Sequence, residues 1–331
     1  MLRRDFVKLG AGLAATALAG GTTGLPSATS GPRIGASTLA ELRANAVRLR
    51  NLDDHLGGAE TYRFYLAEVE RTGKILKSNS FSGAVRRELL NLFAEQAQQA
   101  GWAAFDAGWQ DKATRLYDMS YKAAMEAGNA DLGANALAHK AYQLVSSGQR
   151  GIEVTNGSVA VADATVEPTV KSLLYQRAAW TYALAGDVRR TDEVLGRAEN
   201  ALALAPATDD SPGWAAWAHN PVELQIMAGR CWTELHKPLR AVPVMESAMA
   251  AYADSHARDK ALYLSWLSEA YIDAGEVEQA AATTGRALDL SAGVASPRPA
   301  ERLSDVLDRL TAFQAESDVG ALLARRPLNP S

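Results

Sequence analysis

Five times along this chain a small residue stands seven positions before a turn residue. With the turn position t at Gly108, Gly148, Gly186, His236 and Gly275, position t−7 holds Gly101, Ala141, Ala179, Gly229 and Ser268. Position t−4 holds Ala104, Leu144, Tyr182, Trp232 and Tyr271, large in four of the five. After the turn, t+5 holds Ala113, Glu153, Thr191, Ala241 and Ala280, and t+12 holds Ser120, Ala160, Ala198, Ala248 and Ala287. Two antiparallel helices approach closely only where a small residue faces a small one, and a bulky neighbour then fills the groove beside them. The pattern therefore predicts an all-α chain of antiparallel helix pairs stacked as a solenoid.

The alternation resembles the tetratricopeptide repeat, whose period is about 34 residues. Here the turns lie 40, 38, 50 and 39 residues apart, so the repeats are degenerate and their loops longer. The expected organisation is a leader and linker over 1–33, a tetratricopeptide-like α-solenoid over 34–325, and a disordered tail over 326–331. No proline occurs between Pro32 and Pro168, so helices there can run uninterrupted. Ser37 or Thr38 is expected to cap the first helix, with Glu41 completing a capping box after Thr38, and Leu56-Gly57-Gly58 to stop it. A second helix is expected over Glu60–Lys77, and Ser82 is expected to cap a third. The second repeat looks weakest, because Thr155-Asn156-Gly157 interrupts its second helix. Pro238 suits a first helical turn, whereas Pro243 should disturb the helix that holds it. Trp214-Ala-Ala-Trp217 should form one turn packing onto the array. Ala300–Phe313 and Asp318–Arg325 should close it.

Composition bounds the function. With 47% hydrophobic and 22% charged residues the chain reads as globular rather than disordered. The formal net charge is −4, and the first 35 residues hold four basic residues against one acidic, so the body is more acidic than the whole. An acidic body argues against a nucleic-acid surface within it. Cys231 is the single cysteine, so no internal disulfide is expected, and its place between Arg230 and Trp232 reads as small core. None of the five histidines stands beside another histidine or a cysteine at metal-ligand spacing. Asp53-Asp54-His55 reads as a solvated helix end. There is neither a phosphate loop after a strand nor a G-x-S-x-G elbow. No enzyme, cofactor or metal is expected.

A solenoid offers its concave face instead. Positions t−6, t−10 and t−13 share one face of each first helix, because they differ by 4 and 3. They supply Trp102, Tyr142, Trp180, Arg230 and Glu269; Gln98, Ala138, Gln176, Ile226 and Ser265; and Glu95, Asn135, Leu173, Glu223 and Leu262. The expected ligand-binding set is Gln98, Trp102, Asn135, Tyr142, Gln176, Trp180, Arg230 and Glu269. Aromatics, amides and charges mixed in this way suit a peptide or protein ligand. Trp102, Tyr142 and Trp180 also suit a plain core stripe. A homodimer is compatible too, since solenoid ends expose apolar helices.

Arg3-Arg4-Asp5-Phe6-Val7-Lys8 looks like a twin-arginine export signal, with Ala17-Leu18-Ala19 as a small-x-small cleavage site. A flexible basic leader fits the same residues. The apolar run from Leu9 to Ala19 is too short to span a bilayer.

Four stretches together resemble a known family: Leu52–Gly58, Leu92–Gly108, Ala141–Gly148, and the Trp214-x-x-Trp217 turn before Ala228-Gly-Arg230. Their order and spacing, over roughly residues 34–325, resemble the C-terminal regulatory half of actinobacterial helix-turn-helix regulators of the xenobiotic-response-element class. The resemblance implies a non-enzymatic, tetratricopeptide-like array that senses a peptide or small ligand, or dimerises, in transcriptional regulation or signalling. It also implies that Arg3–Ala19 is the linker common in that family, and hence a cytoplasmic protein; export through the twin-arginine route is the alternative. The family's helix-turn-helix domain does not stand in this sequence, so no direct nucleic-acid binding carries over. A start codon placed too late, a stand-alone regulatory module, or a regulator that lost its reader and gained an export role would each account for that.

Overall fold

The computed structural model describes residues 33–53, 58–148, 151–207, 211–292 and 297–325. The twin-arginine-like leader, His55, Leu56 and Gly57 of the expected Leu56-Gly57-Gly58 stop, and the tail lie outside the described residues. The rest forms α1 (Ala36–Asp53), α2 (Gly58–Ser78), α3 (Gly83–Asp106), α4 (Gln110–Ala127), α5 (Ala130–Ser146), α6 (Ile152–Ala164) and α7 (Pro168–Leu184). These are followed by α8 (Val188–Ala203), α9 (Pro221–Glu234), α10 (Pro238–Ala251), α11 (Ala257–Ala274), α12 (Val277–Ser291), α13 (Pro297–Leu310) and α14 (Ser317–Ala324). Among the described residues there is no strand, only a bridge in which the Ile34 N–H donates to the Ser80 carbonyl at 3.0 Å. No described helix is long and apolar enough to cross a membrane. The fold is an all-α solenoid of helix pairs.

All five t positions adopt the left-handed conformation, with φ of 78° at Gly108, 70° at Gly148, 72° at Gly186, 52° at His236 and 78° at Gly275. The geometry repeats bond for bond. The N–H of t donates to the carbonyl of t−3 at 2.9–3.1 Å in all five. In the four units where t+1 is described, its N–H donates to the carbonyl of t−4 at 2.8–2.9 Å. This is the 6→1 and 5→2 pattern that satisfies helix-end carbonyls and reverses the chain. Glycine fits it because a Cβ disfavours positive φ. His236 is the single described non-glycine residue there, and its Nδ1 lies 2.8 Å from Asp273 Oδ2.

Small residues set the helix separation as the pattern predicts. A Cβ added at Gly101 would fall 2.6 Å from the Tyr117 ring, and one at Gly229 would fall 2.3 Å from Met245. Ala141, Ala179 and Ser268 are likewise buried. The second repeat departs from the register. Its second helix starts at t+4 rather than t+2, because the turn is two residues longer. Glu153 and Ala160 are therefore exposed, and Thr155 and Ala162, two positions further on, are buried in their place.

Two local expectations are corrected, in α6 and at the start of α1. The helix α6 runs unbroken through Thr155-Asn156-Gly157. Glycine costs a helix only about 1 kcal/mol, and Asn156 Oδ1 is held by the Tyr182 hydroxyl at 2.8 Å. Pro243 lies inside α10 without ending it. The bond it deletes would reach the carbonyl of Leu239, whose residue is 91% exposed, so water can serve that carbonyl instead. The helix α1 begins at Ala36, before the expected Ser37 or Thr38 cap, because the Ile34–Ser80 bond has already fixed the chain direction two residues earlier. Ser82 does cap α3, accepting the Val85 N–H at 3.3 Å.

The first helices of successive pairs, α3, α5, α7, α9 and α11, pack side by side, and α13 follows α11 in the same layer. Their partners α4, α6, α8, α10 and α12 form the second layer. One continuous core runs along the array from Tyr65 to Leu322. The layer winds far enough to bring Arg298 of α13 within 3.3 Å of Asp106 in α3, 192 residues earlier.

Candidate functional site

The inner layer encloses a cavity of about 650 Å³, within the range of small-ligand pockets. The helix α3 contributes Glu95, Gln98, Gln99 and Trp102, and α5 contributes Asn135, His139 and Tyr142. Arg177 comes from α7, Glu223, Ile226, Met227 and Arg230 from α9, and Leu262 and Tyr263 from α11. The segment before α9 adds Gly213, Trp214 and Trp217, and α13 adds Arg298. The expected Trp214–Trp217 turn is a 3-10 turn over Ala216–His219 whose two indoles form part of the cavity wall.

Tyr142 is the hub. Its hydroxyl oxygen accepts hydrogen bonds from Arg230 Nη2 at 2.9 Å and Arg298 Nη2 at 3.3 Å. Its ring stacks on Trp180, centroids 5.9 Å apart, and meets Trp102 and Phe105 edge-on at 5.7 and 5.6 Å. Burial pushes the phenol up. The fields of Arg230, Arg298 and Arg177, with the bond from Arg230, outweigh burial and bring it down to about 8.

The guanidinium groups lie on aromatic faces. Arg230 lies 4.3 Å from the Trp180 ring and 4.1 Å from the Trp266 ring, and those two indoles stand perpendicular to each other. Arg177 sits 5.5 Å from Trp102, 5.7 Å from Tyr142 and 5.2 Å from Trp217. Burial pulls Arg177 below its ordinary value, while Tyr142 opposes that shift and Arg230 adds to it. His139 is brought down to about 3 by burial and then by Arg177, so its imidazole is neutral. Its Nδ1 lies 2.8 Å from the Asn135 carbonyl, which can only accept, so Nδ1 carries the proton. Glu223 is pushed up to about 7 by burial and by Asp259, against Arg230, Arg177 and a hydrogen bond with Tyr252.

The amides form a relay with a loose end. Gln98 Nε2 donates to Ser120 Oγ at 3.0 Å and to the Leu132 carbonyl at 2.9 Å, and Gln98 Oε1 accepts from Asn135 Nδ2 at 2.7 Å. Asn135 Oδ1 and both amide atoms of Gln99 are buried with no hydrogen-bond partner among the described residues.

Of the eight expected binding residues, the cavity brings together Gln98, Trp102, Asn135, Tyr142 and Arg230. Gln176 is fully buried and donates to Ser172 Oγ at 3.1 Å. Trp180 stands behind the wall, against Tyr142, Arg230 and Trp266. Glu269 is taken up by Arg302 and Arg309 of α13. Tyr142 and Trp180 are thus core residues as well, only 4% and 3% exposed. The register that periodicity passed over is t−9, whose Gln99, His139, Arg177 and Met227 all line the cavity. Three polar side chains at one register of three successive first helices were the signal for it. Cys231 is fully buried, and burial raises its thiol.

Compared with protein-family models and with curated proteins, the chain finds no match.

Proposed function

We propose that this chain is a non-enzymatic, tetratricopeptide-like regulatory module that binds a short peptide, or an extended segment of a partner protein, in its inner cavity. The observation that supports this reading is that Gln99 and Asn135, which line the aromatic-walled cavity, carry buried amide atoms with no hydrogen-bond partner among the described residues. In native proteins the large majority of buried side-chain polar atoms are paired. A peptide backbone offers donors and acceptors in alternation, which suits amide side chains, while aromatics cover the peptide's side chains. Perturbed groups in a cavity also mark acid–base sites. Here the two groups bonded to the Tyr142 oxygen are arginines, which stay charged and cannot take its proton. They suit holding charge rather than moving protons.

A selection from a random short-peptide pool tests the reading. Enriched peptides should lose about ten-fold affinity or more on Asn135→Ala or Gln99→Ala, the worth of one or two hydrogen bonds, with circular dichroism unchanged. No enrichment, or equal affinity for the variants, removes the assignment.

The place in transcriptional regulation or signalling, and in the cytoplasm, is proposed from the regulator resemblance alone. Export as a binding protein is the second reading, supported by Arg3-Arg4-Asp5-Phe6. Secretion that persists in an Arg3→Lys, Arg4→Lys variant would count against it.

A further inference from the structure

We propose that Arg177 and Arg230 form an oxyanion subsite in the cavity, taking the carboxylate or phosphate of a ligand whose aromatic or apolar body lies against Trp102 and Trp217. The inference rests on the cavity being a binding site and names the chemistry of one end of the ligand.

Charge matching carries it. Among the described residues five arginines line the cavity, and three are matched: Arg50 by Glu95, Arg258 by Asp259 at 3.0 Å, and Arg298 by Asp106 at 3.3 Å. Glu223, the remaining carboxyl of the wall, is engaged by Tyr252 and pushed up to about 7, so near neutral pH much of it is uncharged. Arg177 and Arg230 have no carboxylate within ion-pair distance among the described residues. Arg230 is only 6% exposed. The Nε atoms of both residues are buried without an acceptor among the described residues. Aromatic faces recover part of the desolvation cost of a buried guanidinium; Arg230 spends Nη2 on the Tyr142 hydroxyl, which leaves the rest of its N–H edge, and that of Arg177, to be answered. That edge is a fork matched to a two-oxygen anion. Lysine could neither stack in the same way nor present such a fork. The aromatic contacts also hold the two planes in place before a ligand arrives, which lowers the ordering cost of binding.

The test uses the full chain and two dyes of like shape, anilinonaphthalene sulfonate, which is anionic, and phenylnaphthylamine, which is neutral. The anionic dye should bind about ten-fold more tightly or better, the worth of one charge-assisted hydrogen bond. Arg177→Met and Arg230→Met should each remove that preference, so that the ratio of the two affinities falls to about one. Neither residue has a carboxylate to orphan, so both variants should fold, and near-ultraviolet circular dichroism checks this. Displacement by phenylacetate but not benzyl alcohol assigns a carboxylate ligand, and stronger displacement by phenyl phosphate assigns a phosphate. Equal binding of both dyes, or variants that keep the preference, overturns the subsite but leaves the cavity. Binding of neither dye overturns the cavity reading and the subsite with it.

Discussion

Two sets of arginines meet the inner layer of this array, and Trp266 touches both. Its ring lies 4.1 Å from the Arg230 guanidinium in the cavity and 4.4 Å from that of Arg302 on α13. At the α13 contact every charge is answered. Arg302 pairs with Glu269 and lies 3.6 Å from Glu234, and Arg309 reaches Glu269 at 3.5 Å and Asp273 at 2.5 Å. In the cavity, Arg177 and Arg230 meet indoles and a phenol. The residue type and the supporting layer are the same. What differs is the counter-charge: it is present where the array docks its own capping helix, and among the described residues it is absent from the surface that we propose takes a ligand.

Breaking the matched side should cost most. Glu269→Ala strips a shared carboxylate from Arg302 and Arg309, and because these groups are partly exposed the loss should be about 2 kcal/mol, below that of a fully buried pair. Urea unfolding measures it. Arg302→Met leaves Glu269 with Arg309 and should cost about 1 kcal/mol. Arg230→Met on the unmatched side should change stability by less than about 1 kcal/mol, in either direction, because no carboxylate is orphaned. If Arg230→Met destabilises as much as Glu269→Ala, the contrast between the two regions fails.

The smallest effect at neutral pH concerns Tyr142. Its phenol titrates at about 8 in the folded chain, against about 10 in an unfolded one. This group therefore adds stability as pH rises from about 8 towards 10, and that contribution is lost as pH falls through about 8. Phenolate absorbance should show one tyrosine ionising near 8. In Arg230→Met that early step should move upward, since burial then meets a weaker opposing field. An unmoved step would show that Arg230 does not set it.

Much of the fold was legible because it rests on local rules. The t positions were taken as turns and supported by the sizes of the residues around them, and each is a left-handed helix end. Size also predicted the close contacts at Gly101 and Gly229. The slip in α6 was not legible, since two extra turn residues shift the helix without changing its composition. Of the cavity, t−6 and t−13 were readable as a face. The t−9 stripe was missed because it flanks that face on the side away from t−10. The fate of Glu269 depends on α13, and that of Tyr142 on Arg298, a residue 156 positions away. No period carries such information.

The tie between Arg298 and Asp106 has a consequence for how the chain behaves as a whole. An untied repeat array is nearly one-dimensional: each unit feels only its neighbours, and units can be shed from one end without the other responding. Here an ion pair joins α13 to α3, and the same arginine bonds Tyr142 in α5. Truncating the chain after α12 should thus loosen the first unit before it disturbs the middle, as faster amide exchange in α3 than in α9. Two helices whose tied residues stand 192 positions apart in sequence should then share one local stability.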